Sequence, residues 1–160
     1  MLARIPKTIF FDLDGVLVDF AAGISYPPDK ITDSGRWWTD PKEMYDKGFF
    51  RNLPLMPGAK ETIEHLINDH HLDVHIASKP IPNGFCPSEK YEWVEEHLPS
   101  LLKKTHLIQD KGLLLGDYLV DDDLRWKPRF RGHMFHFNSD TPEECWKNIL
   151  LWMKKYKIGN

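Results

Sequence analysis

Five short apolar runs punctuate the chain, and between them apolar positions recur with a helical period. Residues 7–14, "KTIFFDLD", are rich in β-formers and read as a strand buried on both faces. Residues 72–80, "LDVHIASKP", read as a second strand. Three more follow at 105–109 ("THLIQ"), 117–123 ("DYLVDDD") and 132–138 ("GHMFHFN"). Between the first two strands, 57–71 opens on Pro-Gly and spaces Ile63, Leu66 and Ile67 as a helix does. Residues 87–104 predict a helix with Tyr91, Val94 and Leu98 on its apolar face and a break at Pro99. The clearest helix is 141–157, with the apolar stripe Trp146, Ile149, Leu150 and Met153. Thr141 and Glu144 are spaced as a capping box, Pro142 takes the first helical position, and lysines fill the last turn.

Strands alternating with helices predict an α/β domain on a doubly wound parallel sheet of about five strands. Residues 20–56 interrupt the alternation, because their prolines, glycines and aromatics follow no strong period. The expected organisation is therefore a core formed by 1–19 and 57–160, with 20–56 as a small cap insertion after strand one. A chain of 160 residues has room for one such domain with a real core.

Composition narrows the partners. Hydrophobic residues at 41% and charged residues at 28% are the balance of an ordinary globular protein. A net charge of −3 gives no basic footprint, which argues against nucleic acid as a partner. No apolar run approaches the ~20 residues that span a bilayer, so no membrane partner is expected. "MLARIPKTIFF" lacks a long apolar segment and a small-residue cleavage site, and Cys86 and Cys145 form no CxxC pair. Both features favour a cytoplasmic protein with free thiols.

In parallel sheets ligands bind outside the carboxyl ends of the strands. That rule gathers Asp12 and Asp14 after strand one, Ser78 and Lys79 after strand two, and Asp121, Asp122 and Asp123 after strand four. Lys111 lies in the connection after strand three. Crowded carboxylates repel unless a cation sits among them. Oxygen ligands without a neighbouring His/Cys set favour a hard ion, and Mg²⁺ is the usual one beside phosphate. Ser78 and Lys111 offer a hydroxyl and a positive charge to a phosphate, and an aspartate can attack phosphorus and carry it as an acyl phosphate.

The segments "DLDGVLVD", Ser78 after "HIA", Lys111 and "LVDD" resemble, in order, the four motifs of the haloacid dehalogenase superfamily. "DLDGVLVDF", "GRWW", "LPLMPGAKE", "CPSEKYEWVE", "QDK" and "LVDD" together resemble the 5′(3′)-deoxyribonucleotidases, from about Lys7 to about Leu150. The resemblance implies a haloacid-dehalogenase-like fold with Asp12 as nucleophile and Asp14 as general acid and then base. It implies Mg²⁺ held by Asp12, the Asp14 backbone carbonyl and Asp122. It also implies Ser78 and Lys111 on the phosphoryl oxygens and Asp121 as an orienting carboxylate. Phe20, Trp37 and Trp38 match positions that enclose the nucleoside, Met44 and Tyr45 lie near another pocket position, and Lys79 looks toward the substrate. An acid at Asp14 separates the chain from the dehalogenases, since halide needs no proton.

The function so implied is a Mg²⁺-dependent phosphomonoesterase acting on deoxynucleoside monophosphates. Two departures, Lys79 in place of a small hydroxyl residue and Asp123 in place of arginine, favour another small phosphate such as a sugar phosphate. A nucleic-acid 3′-phosphatase and a non-catalytic scaffold are the remaining alternatives. The acidic charge speaks against the former, and the intact acid and lysine set against the latter. The oligomeric state stays open, a homodimer among the choices.

Overall fold

The computed structural model describes residues 6–24, 41–69 and 71–155. Five strands form one all-parallel sheet: β1 Thr8–Phe11, β2 Asp73–Ser78, β3 Thr105–Leu107, β4 Tyr118–Asp121 and β5 His133–His136. Their order across the sheet is β3-β2-β1-β4-β5. From central β1 the chain winds outward through β2 and β3, then returns to the other side for β4 and β5. Winding therefore reverses at β1 and β4, which is where an open α/β sheet leaves a crevice. The α/β fold and the five-stranded parallel sheet expected from the sequence are those observed.

Three α-helices accompany the sheet among the described residues: α1 Ala59–Asn68, α2 Cys86–His97 and α3 Pro142–Lys155. All three contribute to one large core with the strand residues Ile9, Phe11, Val74, Ile76, Tyr118 and Val120. Alternation along each strand sends Phe10, Ala77 and Leu119 to the opposite face, where Leu114, Trp126 and Phe130 from short connections cover them. Strands buried on both faces explain why "TIFF" and "YLVD" read as near-continuous apolar runs. Among the described residues no helix is long and apolar enough to cross a membrane. Cys86 and Cys145 are buried free thiols.

The second predicted helix is corrected in detail. Its regular part ends at His97, and Pro99–Lys104 continues as a 3₁₀ helix. Tyr91, expected on the apolar face, is 40% exposed, whereas Trp93 is buried and donates its indole N–H to the Leu53 carbonyl at 2.7 Å. Cys86, Glu89, Lys90 and Val94 complete the buried face. Two charged residues on that face hid it from a search for apolar period.

The described part of the insertion packs onto the same core through Met44, Phe50, Leu53 and Met56. Its return to the core is fixed by an antiparallel bridge between Val18 and Leu55 and by the Met56 N–H on the Leu17 carbonyl at 2.8 Å.

Candidate active site

The loop after β1 places two carboxylates by burying what lies around them. Leu13, Val16, Leu17 and Val18 are all at most 2% exposed. The Leu13 carbonyl accepts from the N–H groups of Val16, Leu17 and Val18, closing a tight turn. Asp12 extends the ladder by donating its N–H to the Val120 carbonyl at 2.9 Å. With Leu13 pinned in the core, Asp12 and Asp14 both reach the cavity. Gly15 adopts φ +78°, and a Cβ there would stand 2.2 Å from Asp122 Oδ2. Only glycine allows the loop to pass this close to the β4 acids.

Strand β4 ends in Asp121, which is fully buried and turned away from solvent. Its Oδ1 accepts the Asp123 N–H at 2.9 Å and its Oδ2 accepts from Lys111 Nζ at 2.6 Å. Asp122 is next, its carbonyl held by His136 Nε2 at 3.1 Å. One carboxylate oxygen each of Asp12, Asp121 and Asp122 can be chosen so that all lie within 4.8 Å of one another.

Two buried lysines serve this cluster. Lys111 opens a short 3₁₀ helix, Lys111–Leu113, whose N-cap Asp110 accepts from the Gly112 N–H at 2.9 Å and is tied to Arg129. Its ammonium bridges Asp12 Oδ1 at 2.7 Å and Asp121 Oδ2 at 2.6 Å. Lys90 arrives from the middle of α2. It donates to Asp14 Oδ2 at 2.5 Å and to Ser78 Oγ at 3.0 Å, and the Phe50 ring covers it at 4.7 Å. Ser78 sits at the end of β2, 1% exposed.

The charge balance leaves room for a cation. Asp12, Asp14, Asp121 and Asp122 face only Lys90 and Lys111 as buried positive partners among the described residues, an excess of two negative charges. The excess is visible in the proton affinities. Burial raises Asp122 well above the usual carboxylate range, and the neighbouring Asp12 and Asp121 add to it. Burial likewise pushes Asp121 up to about 7 against the opposing pull of Lys111. Asp14 is raised by burial, with Lys90 pulling it back. Burial alone would lower Lys111, but Asp12 and Asp121 outweigh it and keep the ammonium charged. An all-oxygen donor set with two surplus negative charges fits a hard divalent ion.

The cluster opens into a cavity of about 760 Å³, within the range of small-molecule sites. The structure brings Asp12, Asp14, Ser78, Lys79, Lys111, Asp121 and Asp122 together on its wall, with Phe20. Phe20 packs edge-on to Phe49 at 5.4 Å and lies 6.4 Å from Phe50. Met44 lines the cavity, whereas Tyr45 is 49% exposed and outside that wall. Trp37 and Trp38 lie outside the described residues. Asp123 also lines the cavity, its carboxylate taken by the Arg125 backbone N–H at 3.0 Å and guanidinium at 2.6 Å. Sequence reasoning gave no role to Lys90 or Phe50. Their only signal was a lysine and a phenylalanine inside "CPSEKYEWVE" and "KGFFRN", which nothing local marks as facing the acids.

Comparison with known proteins gives a consistent set of likenesses. The family described as "5′ nucleotidase, deoxy (Pyrimidine), cytosolic type C protein" matches residues 36–149. The mitochondrial 5′(3′)-deoxyribonucleotidase of Mus musculus is 30% identical over 170 residues, covering 89% of this chain and 71% of that protein. The cytosolic-type 5′(3′)-deoxyribonucleotidase of Homo sapiens is 32% identical over 169 residues, covering 89% and 78%. A putative 5′(3′)-deoxyribonucleotidase of Staphylococcus epidermidis is 34% identical over 113 residues, covering 67% and 60%.

Proposed function

Because this chain belongs to the 5′(3′)-deoxyribonucleotidase family, we propose that it hydrolyses deoxynucleoside monophosphates with Mg²⁺ through an aspartyl phosphate on Asp12. The observation that carries the reading is the triad of Asp12, Asp121 and Asp122 beside Asp14 and Lys111 on one cavity wall, with the buried Lys90 paired to Asp14.

Each group has a task. The free carboxylate oxygen of Asp12 attacks phosphorus while Lys111 holds Oδ1. The bond from phosphorus to the leaving alcohol breaks, and Asp14 gives that alcohol its proton. Burial favours the protonated form that this step needs. Asp14, now a carboxylate, takes a proton from the water that attacks the acyl phosphate, releasing inorganic phosphate and restoring Asp12. Asp12, Asp122 and the Asp14 carbonyl would hold Mg²⁺, which when bound screens the charge of nucleophile and phosphate from each other. Ser78 and Lys111, both on the cavity wall, would donate to the phosphoryl oxygens, and Lys90 donates to the Ser78 hydroxyl oxygen. Asp121 keeps Lys111 in place. Residues 1–19 and 57–160 supply the chemistry, and the insertion 20–56 contributes the aromatic wall for the nucleoside.

Lys79 and Asp123 on the cavity wall favour a second reading, the same chemistry on a sugar phosphate. A phosphate-release screen with Mg²⁺ over deoxynucleoside monophosphates, sugar phosphates and a 3′-phosphorylated oligonucleotide decides between them. Deoxynucleoside monophosphates are expected to be turned over fastest. Rapid sugar-phosphate turnover with inert nucleotides would favour the second reading, and oligonucleotide turnover alone would overturn both.

A further inference from the structure

Helix α2 buries two consecutive charged residues, Glu89 at 5% and Lys90 at 2% exposure. Lys90 reaches the cluster, but Glu89 turns to the insertion. Its two carboxylate oxygens accept the backbone N–H groups of Gly48 at 2.5 Å and Phe50 at 3.1 Å. Burying a carboxylate is costly unless its oxygens are bonded, so the contact strongly fixes the position of the segment that supplies the N–H groups. One turn further along α2, Trp93 holds the Leu53 carbonyl at 2.7 Å. Residues i and i+4 of one helical stripe thus fasten both ends of the segment 48–53.

The fastened segment carries Phe50, whose ring lies 4.7 Å from Lys90 Nζ. An ammonium has three donors. Asp14 and Ser78 take two of those on Lys90, and the ring faces the same ammonium, where water would otherwise stand. A dry ammonium with two fixed acceptors has one position, whereas a hydrated one could swing away from Asp14.

We propose that Glu89 is a positioning residue of this site: by fastening the Phe50 backbone it holds the aromatic ring against Lys90 and thereby fixes Lys90 between Asp14 and Ser78. The proposal rests on the phosphatase reading for its kinetic consequence but not for its geometric one. Placement of the insertion and placement of the cation become a single event, because adjacent residues of one helix perform both.

The experiment is a double-mutant cycle with Glu89→Gln and Lys90→Met in the full chain with Mg²⁺. The amide of glutamine has one oxygen and cannot accept as two carboxylate oxygens do. Glu89→Gln alone should lower kcat on p-nitrophenyl phosphate by about tenfold with KM changed by less than about twofold, the mark of an interaction that matters in the transition state. In the Lys90→Met background the same change should cost less than about twofold, since its route to the chemistry is gone. Phe50→Leu keeps an apolar group at a core position and should show the same pattern, so it serves if Glu89→Gln does not fold. Nitrogen-15 NMR of the lysine ammonium groups supplies a readout besides activity. A protected Lys90 signal in the wild type should be lost in Glu89→Gln and in Phe50→Leu. Equal losses of kcat in both backgrounds, or a Lys90 signal that stays protected in both variants, would overturn the positioning role. If the wild type releases no phosphate from any ester, the phosphatase reading fails, and the NMR comparison still decides whether Glu89 places Lys90.

Discussion

Lys111 and Lys90 are each 2% exposed and each touch two oxygen partners, yet their surroundings differ in kind. Lys111 bridges two carboxylates, one of them fully buried, and comes from a connection of a few residues held by Asp110 and Arg129. Lys90 meets one carboxylate that keeps 26% exposure, a hydroxyl, and the face of an aromatic ring that belongs to the insertion. The difference separates rigidity from adjustability. A buried ammonium between two buried acids is part of the frame, because moving it would leave charges unpaired. An ammonium whose third side is a phenylalanine ring depends on whatever holds that ring. The first limb holds Asp12, and the second answers to the segment 48–53 that brings Phe50 to the cavity wall.

The largest expected effect isolates the first limb. Asp12→Asn should lower phosphate release by more than about 10⁴-fold, as loss of a nucleophile does, with the circular dichroism spectrum unchanged. Substantial turnover in the folded variant would move the nucleophile elsewhere and break the assignment of Lys111 to it.

The two lysines can then be compared directly. Lys111→Met leaves Asp121 buried without its cation and should cost about 3–5 kcal/mol in urea unfolding. Lys90→Met should cost clearly less, because Asp14 retains access to water. Equal losses of stability would erase the distinction between frame and adjustable limb.

A smaller effect is expected where the two loops of acids approach each other. Gly15→Ala puts a Cβ against Asp122 Oδ2 at a backbone angle of +78°. The left-handed conformation alone should cost about 1 kcal/mol. The displaced Asp122 should weaken Mg²⁺ binding in titration calorimetry. Unaltered Mg²⁺ affinity in this variant would place the ion away from Asp122.

The gentlest test follows proton affinity. Burial and neighbouring acids raise Asp122 and bring Asp121 to about 7 without a cation. Between about pH 4 and about 7 the folded chain then holds protons that the unfolded chain has released, so stability falls as pH rises through that window. Thermal melts in EDTA should show this decline, and added Mg²⁺ should flatten it, since the bound ion replaces the protons. Asp122→Asn should flatten the EDTA curve without metal. A Tm in EDTA that climbs from acid to neutral pH would contradict the surplus negative charge.

The amino-acid sequence by itself determined the strands, their near-continuous apolar character and the acids at their ends. The reason is that a parallel sheet buries both faces, so its strands stand out as "TIFF" and "YLVD" against their polar flanks. Asp12, Asp14, Ser78, Asp121 and Asp122 were legible because each directly ends or follows a strand, and strand ends share one edge of the sheet. Lys111 was legible for a similar reason, lying four residues past Leu107 in a short connection. Lys90, Glu89 and Phe50 were not. Their meaning depends on how far α2 is rotated about its axis and where a segment some 40 residues earlier in the chain comes to rest against it. Apolar periodicity placed Tyr91 on the buried face because it scores side chains one at a time. Only packing reveals that a buried face can hold a glutamate and a lysine when each finds its partners across the fold. Tertiary structure alone therefore decided which cation meets which acid, since a charge is acceptable in the core only with a partner that local sequence does not contain.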